Sequence, residues 1–352
     1  MFKTKTLIVL GAGASQEVGM PTGKQLRAHI ASMLDIRFEY GLRQISGDDL
    51  IYEAIRRHAA SGESLAADPN RYREAGIRIS EAMPQAISID NFIESHSGDK
   101  LIELCGKLGI AQAILNAESN SRLWFNEPNG VTKPNYSMIE STWFTSFMQL
   151  LTESCRRDDL KKRLESITFI NFNYDRCLEH FLYHGLQTYY SLPTTVAAEL
   201  VSGVHIYHPY GSVGLLPWMS RDGAVAFGGR LDSTRLLQQA KLIKTFTEGT
   251  DEESSDIQVI RQQLTEASTV VFLGFAFHKQ NMDLLKPSRP LPKGIKQARY
   301  YATAKEISIA DCEIVKNEIQ GLLGVGTERL ELRTDLTCHG LFSEYWKTLS
   351  LG

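Results

Sequence analysis

The chain has 352 residues, of which 43% are hydrophobic and 22% are charged, and its formal net charge is −3 at pH 7. This composition is typical of a globular protein with a large core, and the small negative charge gives no general attraction to nucleic acid. No apolar run is long enough to cross a bilayer and no leader peptide precedes the first predicted strand, so we expect a cytoplasmic protein without a membrane partner.

The most informative stretch lies near the N-terminus. Residues 7–10 form a short apolar run, and Gly11, Ala12, Gly13, Ala14 and Ser15 follow it. Such a run predicts a strand buried on both faces of a parallel sheet. The glycines predict a sharp turn whose backbone N–H groups approach a ligand closely, and a helix after the turn would favour a pyrophosphate. A dinucleotide-binding fingerprint would have a third glycine at the position of Gln16, so the turn alone leaves a purely structural role open.

The next part of the chain has mainly helical patterns. Apolar residues recur at helical spacing near residues 50–55, 100–116 and 138–164, whereas residues 60–75 are polar, rich in Ala and Ser, and predict a loop. We therefore predict that residues 40–165 form a mainly helical insertion. Residues 1–39 and 166–352 would together form one nucleotide-binding α/β domain.

Further predicted strands lie at residues 166–170, 203–207, 269–273 and 299–303, with helical patterns between them. This alternation predicts an α/β fold with a doubly wound, mainly parallel, Rossmann-like sheet and a large helical insertion. Polar or glycine-rich clusters follow four strands, at residues 11–15, 171–175, 208–212 and 274–281. Ligands bind beyond the carboxyl ends of parallel strands, so we expect these clusters to meet in one crevice.

In this order the clusters resemble the motifs of the sirtuin-like NAD-consuming family. Its members have a GAG(I/A)S turn, an Asn-X-Asp element after a strand, a His-Gly element, and a strand that ends in Gly. The matching residues are Gly11 to Ser15, Asn173-Tyr174-Asp175, His208 with Gly211-Ser212, and Phe272-Leu273-Gly274. The Asn-Tyr-Asp element, and Ser88-Ile89-Asp90 before an apolar helix, resemble the bacterial sirtuin-like NAD hydrolases of antiphage defence more than protein deacylases.

The resemblance implies hydrolysis of NAD+ to nicotinamide and ADP-ribose, with NAD+ as substrate. It implies that Asn173 orients water and a ribose hydroxyl and that His208 is the general base. It also implies nucleotide contacts from the other matched residues, namely Gly11, Ala12, Gly13, Ala14, Ser15, Asp175, Gly211, Ser212, Gly274 and the adjacent Phe275. For Asp175 two roles are open, a contact to the nicotinamide amide or support of its own loop. The reaction passes through a positively charged, oxocarbenium-like centre, which suits an orienting amide and a base that titrates near neutral pH.

Two departures from the family pattern bear on this interpretation. Pro209 and Tyr210 separate His208 from Gly211, so His205 remains an alternative base. The five cysteines contain no CxxC pair, and the residues after Gly19-Met20-Pro21 differ from the Asp-Phe-Arg of deacylating sirtuins. We therefore expect no metal and no zinc-dependent deacylase activity.

Two other function classes remain open. A catalytically silent module that binds NAD or ADP-ribose and acts as a sensor would use the same clusters. A hydride-transferring dehydrogenase is disfavoured because the third glycine is missing and a helical pattern replaces the expected second strand with its acidic end. A freely active NAD hydrolase would be toxic, so we expect a homo-oligomer gated by a separately encoded ATPase or nucleic-acid-binding partner.

Overall fold

The computed structural model describes residues 4–61, 67–126, 133–251, 256–287, 298–323 and 330–351. The strands are β1 (Thr6–Leu10), β2 (Arg37–Glu39), β3 (Arg43–Ser46), β4 (Ile167–Asn171), β5 (His205–Tyr207), β6 (Thr269–Leu273), β7 (Arg299–Thr303) and β8 (Leu330–Arg333). The helices of the first half are α1 (Ala12–Gln16), α2 (Gly23–Leu34), α3 (Asp49–Ala60), α4 (Pro69–Ala82), α5 (Ile89–Ser95), α6 (Lys100–Asn120), α7 (Trp143–Thr152) and α8 (Leu160–Leu164). Those that follow are α9 (Cys177–Tyr190), α10 (Thr194–Ser202), α11 (Ser233–Ala240), α12 (Phe246–Thr250), α13 (Ile257–Glu266), α14 (Lys279–Leu285), α15 (Ile309–Leu323), α16 (Cys338–Glu344) and α17 (Trp346–Leu351).

The chain divides into two compact units, and neither is continuous in sequence. The first unit contains the described residues of Met1–Met20, Ser121–Pro209 and Gly249–Gly352, and the second contains those of Pro21–Asn120 and Tyr210–Glu248. These boundaries differ from the predicted ones. Residues 121–165, predicted to lie in the helical insertion, belong to the unit with the sheet, whereas residues 21–39 and 210–248 belong to the helical unit.

Packing explains both differences. The indole Nε1 of Trp143, at the start of α7, donates to the carbonyl of Ala14 at 2.9 Å, directly behind β1. Trp143 is 1% exposed, so this part of the predicted insertion covers the sheet rather than standing apart from it. In the second unit, α11 packs against α3 and α6, which are more than a hundred residues earlier in the chain.

The first unit is built on a six-stranded sheet with all neighbouring strands parallel, in the order β5-β4-β1-β6-β7-β8. Counted along the chain, these six strands have the doubly wound order 3-2-1-4-5-6, so the predicted fold class is confirmed. The strand order reverses between β1 and β6, and the crevice beyond the carboxyl ends of strands at such a point is where doubly wound folds bind ligands.

The three central strands end at the same level. Every residue of β1, β4 and β6 is buried, as expected for apolar strands covered on both faces. Leu10, the last residue of β1, pairs with Asn171 of β4 and Leu273 of β6. The loops that follow these strands therefore start side by side.

The second unit is mainly helical, and α6 is its central helix because it packs against α2, α3, α4, α5 and α11. Its helices begin at side-chain caps: Asp48 accepts from the N–H of Ile51, and Asp68 accepts from that of Asn70. The loop predicted for residues 60–75 is wrong over its second half, where Asp68 and Pro69 start α4. Residues 62–66 lie outside the described residues. Across the described ranges, no helix has the length and apolar character needed to span a membrane.

Candidate functional site

Three glycines bring the turn after β1 against the loop after β6. The N–H of Gly11 donates to Leu273 O and that of Gly13 to Gly274 O, both at 3.0 Å. A Cβ atom on Gly13 would lie 2.7 Å from Gly274 Cα, and one on Gly11 would lie 2.5 Å from Gly274 O. Gly274 itself has a φ of +55°, which side chains disfavour. These glycines are therefore required by backbone-to-backbone packing within the first unit.

This packing changes the role expected for the turn. The N–H of Ala14 donates to Gly11 O at 2.9 Å, so the N–H groups of Gly11, Gly13 and Ala14 are all bonded inside the protein. The sequence-based expectation that the glycine N–H groups are open to a pyrophosphate does not hold for this geometry. Ala12 starts α1 and is partly exposed, and Ser15 is buried on the same short helix.

The amide of Asn173 is held at the centre of the site. Its Nδ2 donates to Gly11 O at 3.0 Å and to Ser15 Oγ at 3.1 Å, and its N–H donates to Asn171 Oδ1 at 3.1 Å. Because a carbonyl oxygen only accepts hydrogen bonds, the contact with Gly11 establishes which end of the amide is nitrogen. Asn173 is buried to 8% exposure, yet its Oδ1 accepts no bond within the described chain and is not a buried unpaired atom. Solvent therefore reaches that oxygen.

The hydrogen-bond chain continues from Asn173 into a carboxylate. Ser15 Oγ donates to Asp175 Oδ1 at 3.2 Å, and the same oxygen accepts from the N–H of Cys177 at 3.1 Å. Asp175 is thus bonded to the first residue of α9, where a carboxylate also interacts favourably with the helix dipole. Of the two roles considered for Asp175, the observed contacts correspond to support of its loop.

Phe275, in the loop after β6, lies in a cluster of aromatic rings. Its ring centroid is 5.0 Å from that of Phe172, 5.7 Å from that of Phe272 and 5.1 Å from that of Phe277. Phe275 is 3% exposed, so it belongs to the core of the first unit. Thr303, at the end of β7, accepts the N–H of Gly274 at 2.8 Å and orients the same loop.

His208 follows β5 and is bonded at both ring nitrogens. Nδ1 lies 3.0 Å from the main-chain oxygen of Asn173, and Nε2 lies 2.7 Å from Oε1 of Glu179 on α9. The side chains of His208 and Glu179 are 13% and 7% exposed. Burial lowers the pKa of His208, but the Glu179 carboxylate, the Asn173 carbonyl and Asp175 together raise it above its ordinary value. In this arrangement neither ring nitrogen has a free lone pair with which to act as a general base.

His205, Gly211 and Ser212 are the remaining predicted residues. His205 is exposed at the start of β5, with its ring parallel to that of Tyr207 at 6.3 Å. Gly211 and Ser212 belong to the second unit. In that unit Gly211 has a φ of +71°, and a Cβ on it would lie only 1.9 Å from Leu242 O, so its local role is close packing.

Glu179 is the residue that the sequence interpretation missed. It is the single acidic residue of α9, which is otherwise largely apolar, and it is almost completely buried. A charge inside an apolar helical pattern is a usable signal because an ionised carboxylate is seldom buried without a partner. Because Glu179 and His208 are 29 positions apart, the sequence alone did not indicate that they would form a pair.

A scan against protein-family models finds no match to the chain, and a comparison with curated proteins likewise finds none. Among the residues that the structure describes, no group of three or more His, Cys, Asp or Glu side chains is arranged to hold a metal ion. The candidate site is therefore defined by its own geometry: the Asn173 amide, the Ser15–Asp175 pair and the His208–Glu179 pair, beside the contact of three glycines.

Proposed function

We propose that the chain is a NAD+ hydrolase that cleaves the bond between nicotinamide and ribose. The observation that carries the proposal is the oriented Asn173 amide, whose Oδ1 is open to solvent where the strand order of the sheet reverses. Nucleotides bind at that point in doubly wound sheets. The motif resemblance to sirtuin-like NAD hydrolases supports the reaction class, and the sheet order supports a nucleotide as the ligand.

This reaction requires little of the protein beyond orientation of the water and the ribose. The electron pair of the glycosidic bond leaves with nicotinamide, which becomes neutral, and a water oxygen bonds to the ribose carbon. Asn173 Oδ1 accepts a hydrogen bond from that water or from a ribose hydroxyl, and a fixed acceptor lowers the barrier by holding the reacting groups in place. Water bonded to a cationic carbon is strongly acidic, so solvent can take its proton. This route needs no base at His208.

In this proposal the glycine turn contributes to the shape of the binding site and does not bind the nucleotide through its glycine N–H groups. With the N–H groups of Gly11, Gly13 and Ala14 bonded internally, the turn forms the base of the crevice. We also propose that the enzyme is not a zinc-dependent protein deacylase, since its cysteines lack the paired CxxC spacing. Homo-oligomer assembly with a separately encoded partner, in antiphage defence, is our proposal for how a toxic activity is kept in check.

A catalytically silent NAD or ADP-ribose sensor is the second candidate. The observation that favours it is the engagement of both His208 nitrogens, which leaves the site without the base expected from the sequence. Both candidates bind the nucleotide, but only the hydrolase releases nicotinamide.

The deciding experiment measures nicotinamide release from NAD+ by the purified protein over a wide range of protein concentrations. We expect release that rises more steeply than protein concentration, and a loss to below about 1% of the wild-type rate in Asn173→Ala. Asn317→Ala, an exposed asparagine on α15, is the matched control and should keep the wild-type rate. Calorimetry with ADP-ribose checks that Asn173→Ala still binds the product. ADP-ribose binding without any nicotinamide release at any concentration would favour the sensor.

A further inference from the structure

We propose that Glu179 is a positioning residue of this site: it keeps the His208 ring in its imidazolium form, and that ring holds the main-chain carbonyl of Asn173. The proposal rests on the proposed function in that Asn173 is the residue that orients the water. It assigns His208 a role opposite in charge to that of a general base.

The two contacts of the His208 ring determine how many protons it carries. The main-chain oxygen of Asn173 only accepts, so the 3.0 Å contact requires a proton on His208 Nδ1. An ionised Glu179 also only accepts, so the 2.7 Å contact requires a proton on Nε2. A ring with both protons is an imidazolium. A neutral ring would leave one of these two short contacts with a lone pair facing an oxygen.

A protonated Glu179 is the one other way to satisfy both contacts. An imidazolium is a weaker acid than a carboxylic acid, so a proton shared between the two groups favours the ring. Oε2 of Glu179 is buried and has no hydrogen-bond partner within the described residues. The charge of His208 is therefore the interaction that compensates burial of this carboxylate, and the two residues depend on each other.

The surroundings of the His208 ring also favour its charged form. The charged and polar groups that act on His208 are Glu179 from α9, and Asp175 and the Asn173 carbonyl from the loop after β4. All three favour the charged ring, and burial alone opposes it. Because Glu179 and His208 are both nearly buried, salt screens their attraction far less than that of a surface pair.

The Glu179–His208 pair acts on catalysis through the position of Asn173. The Asn173 residue is held at its N–H by Asn171, at its side chain by Gly11 and Ser15, and at its carbonyl by His208. Loss of the last bond frees the peptide that carries the catalytic amide. The expected consequence is a lower kcat with little change in ADP-ribose affinity, because Asn173 Oδ1 loses its orientation toward the reacting water.

The sign of the pH dependence tests the proposal. An imidazolium requires the proton, so the rate of nicotinamide release should be highest at low pH and fall as pH rises through the raised pKa of His208. A base at His208 would produce the reverse, a rate that rises with pH. In Glu179→Gln the fall should move to lower pH. Without the carboxylate, burial of the ring opposes its charged form, so the variant should release nicotinamide more slowly than the wild type above neutral pH and recover the wild-type rate as the pH is lowered.

The matched control is Glu199→Gln, an exposed glutamate on α10 of the same unit, which should have the wild-type profile. The proposal would be overturned if the wild-type rate rises with pH and this titration is absent in His208→Gln. It would also be overturned by a Glu179→Gln profile that superimposes on that of the wild type.

A measurement on the resting protein separates this proposal from the proposed function. In protein with ¹⁵N-labelled histidine, the two ring nitrogens of His208, assigned by their loss in His208→Gln, should both be protonated at pH 7. In Glu179→Gln one of them should lose its proton. If nicotinamide is never released but the ring is charged, the hydrolase proposal fails and the Glu179–His208 pairing stands. If the wild-type ring is neutral at pH 7, the pairing fails whatever the turnover, and whether or not Glu179→Gln folds.

Discussion

The contact of three glycines leads to a quantitative prediction for Gly13→Ala. The new Cβ would lie 2.7 Å from Gly274 Cα and 3.1 Å from Gly274 O, whereas unstrained carbon contacts are about 3.5–4.0 Å. The loop after β6 must therefore move by about 1 Å, which also strains the hydrogen bond from Gly13 N to Gly274 O. Overpacking of this kind costs about 1–3 kcal/mol and a lost hydrogen bond about 1 kcal/mol, so we expect a total loss of about 2–4 kcal/mol.

The assay is urea unfolding without ligand, followed by far-ultraviolet circular dichroism, with Gly321→Ala as the control. Gly321 lies in α15 of the same unit, and a Cβ there would meet nothing within 4 Å. Alanine there should be neutral or stabilising by up to about 1 kcal/mol, because it favours helix more than glycine does. If Gly13→Ala unfolds at the same urea concentration as the wild type, the backbone contact is not close. The turn would then be free to bind a ligand through its glycines.

Two further predictions concern titration and metal content. Burial raises the pKa of Asp90 to about 6, so its charged form opposes folding: stability is full below about pH 4 and is lost as pH rises through about 6. Asp90 remains partly exposed, so Asp90→Asn should raise the free energy of unfolding by about 1–3 kcal/mol at pH 8 and by nothing at pH 3.5, measured by urea titration at both values. The purified protein should carry no stoichiometric zinc and should not deacetylate lysine peptides; one tightly bound zinc per chain by elemental analysis would contradict the cysteine argument.

The sheet was largely predictable from the sequence because burial leaves a local signature. Strands β1, β4 and β6 coincide with largely apolar runs at the predicted positions, since strands covered on both faces have no polar side. The clusters after them were also correctly predicted to converge, with Asn173, Ser15 and Gly274 in one network of contacts, because parallel strands end at the same edge of a sheet.

The unit boundaries were not predictable by the same means. Helical periodicity at residues 143–152 shows that α7 has an apolar side, but not that this side covers the sheet. Likewise, the pattern of α11 does not reveal that it packs on α3 and α6. Periodicity reports which face of an element is buried, whereas the surface that buries it depends on residues distant in the chain.

The site, like the fold, has features that the sequence predicts and features that it does not. The alternation of strand and helix patterns was enough to predict the doubly wound fold, with Asn173, Asp175, His208 and the glycines after the strands. The contacts of each of these residues, in contrast, depend on how the strands and helices pack. The order β4-β1-β6 brings Gly274 against the first turn and closes its N–H groups to a ligand. The packing of α9 brings Glu179 to His208 and engages both of its ring nitrogens, because the contacts of a side chain depend on neighbours that residue identity and spacing do not specify.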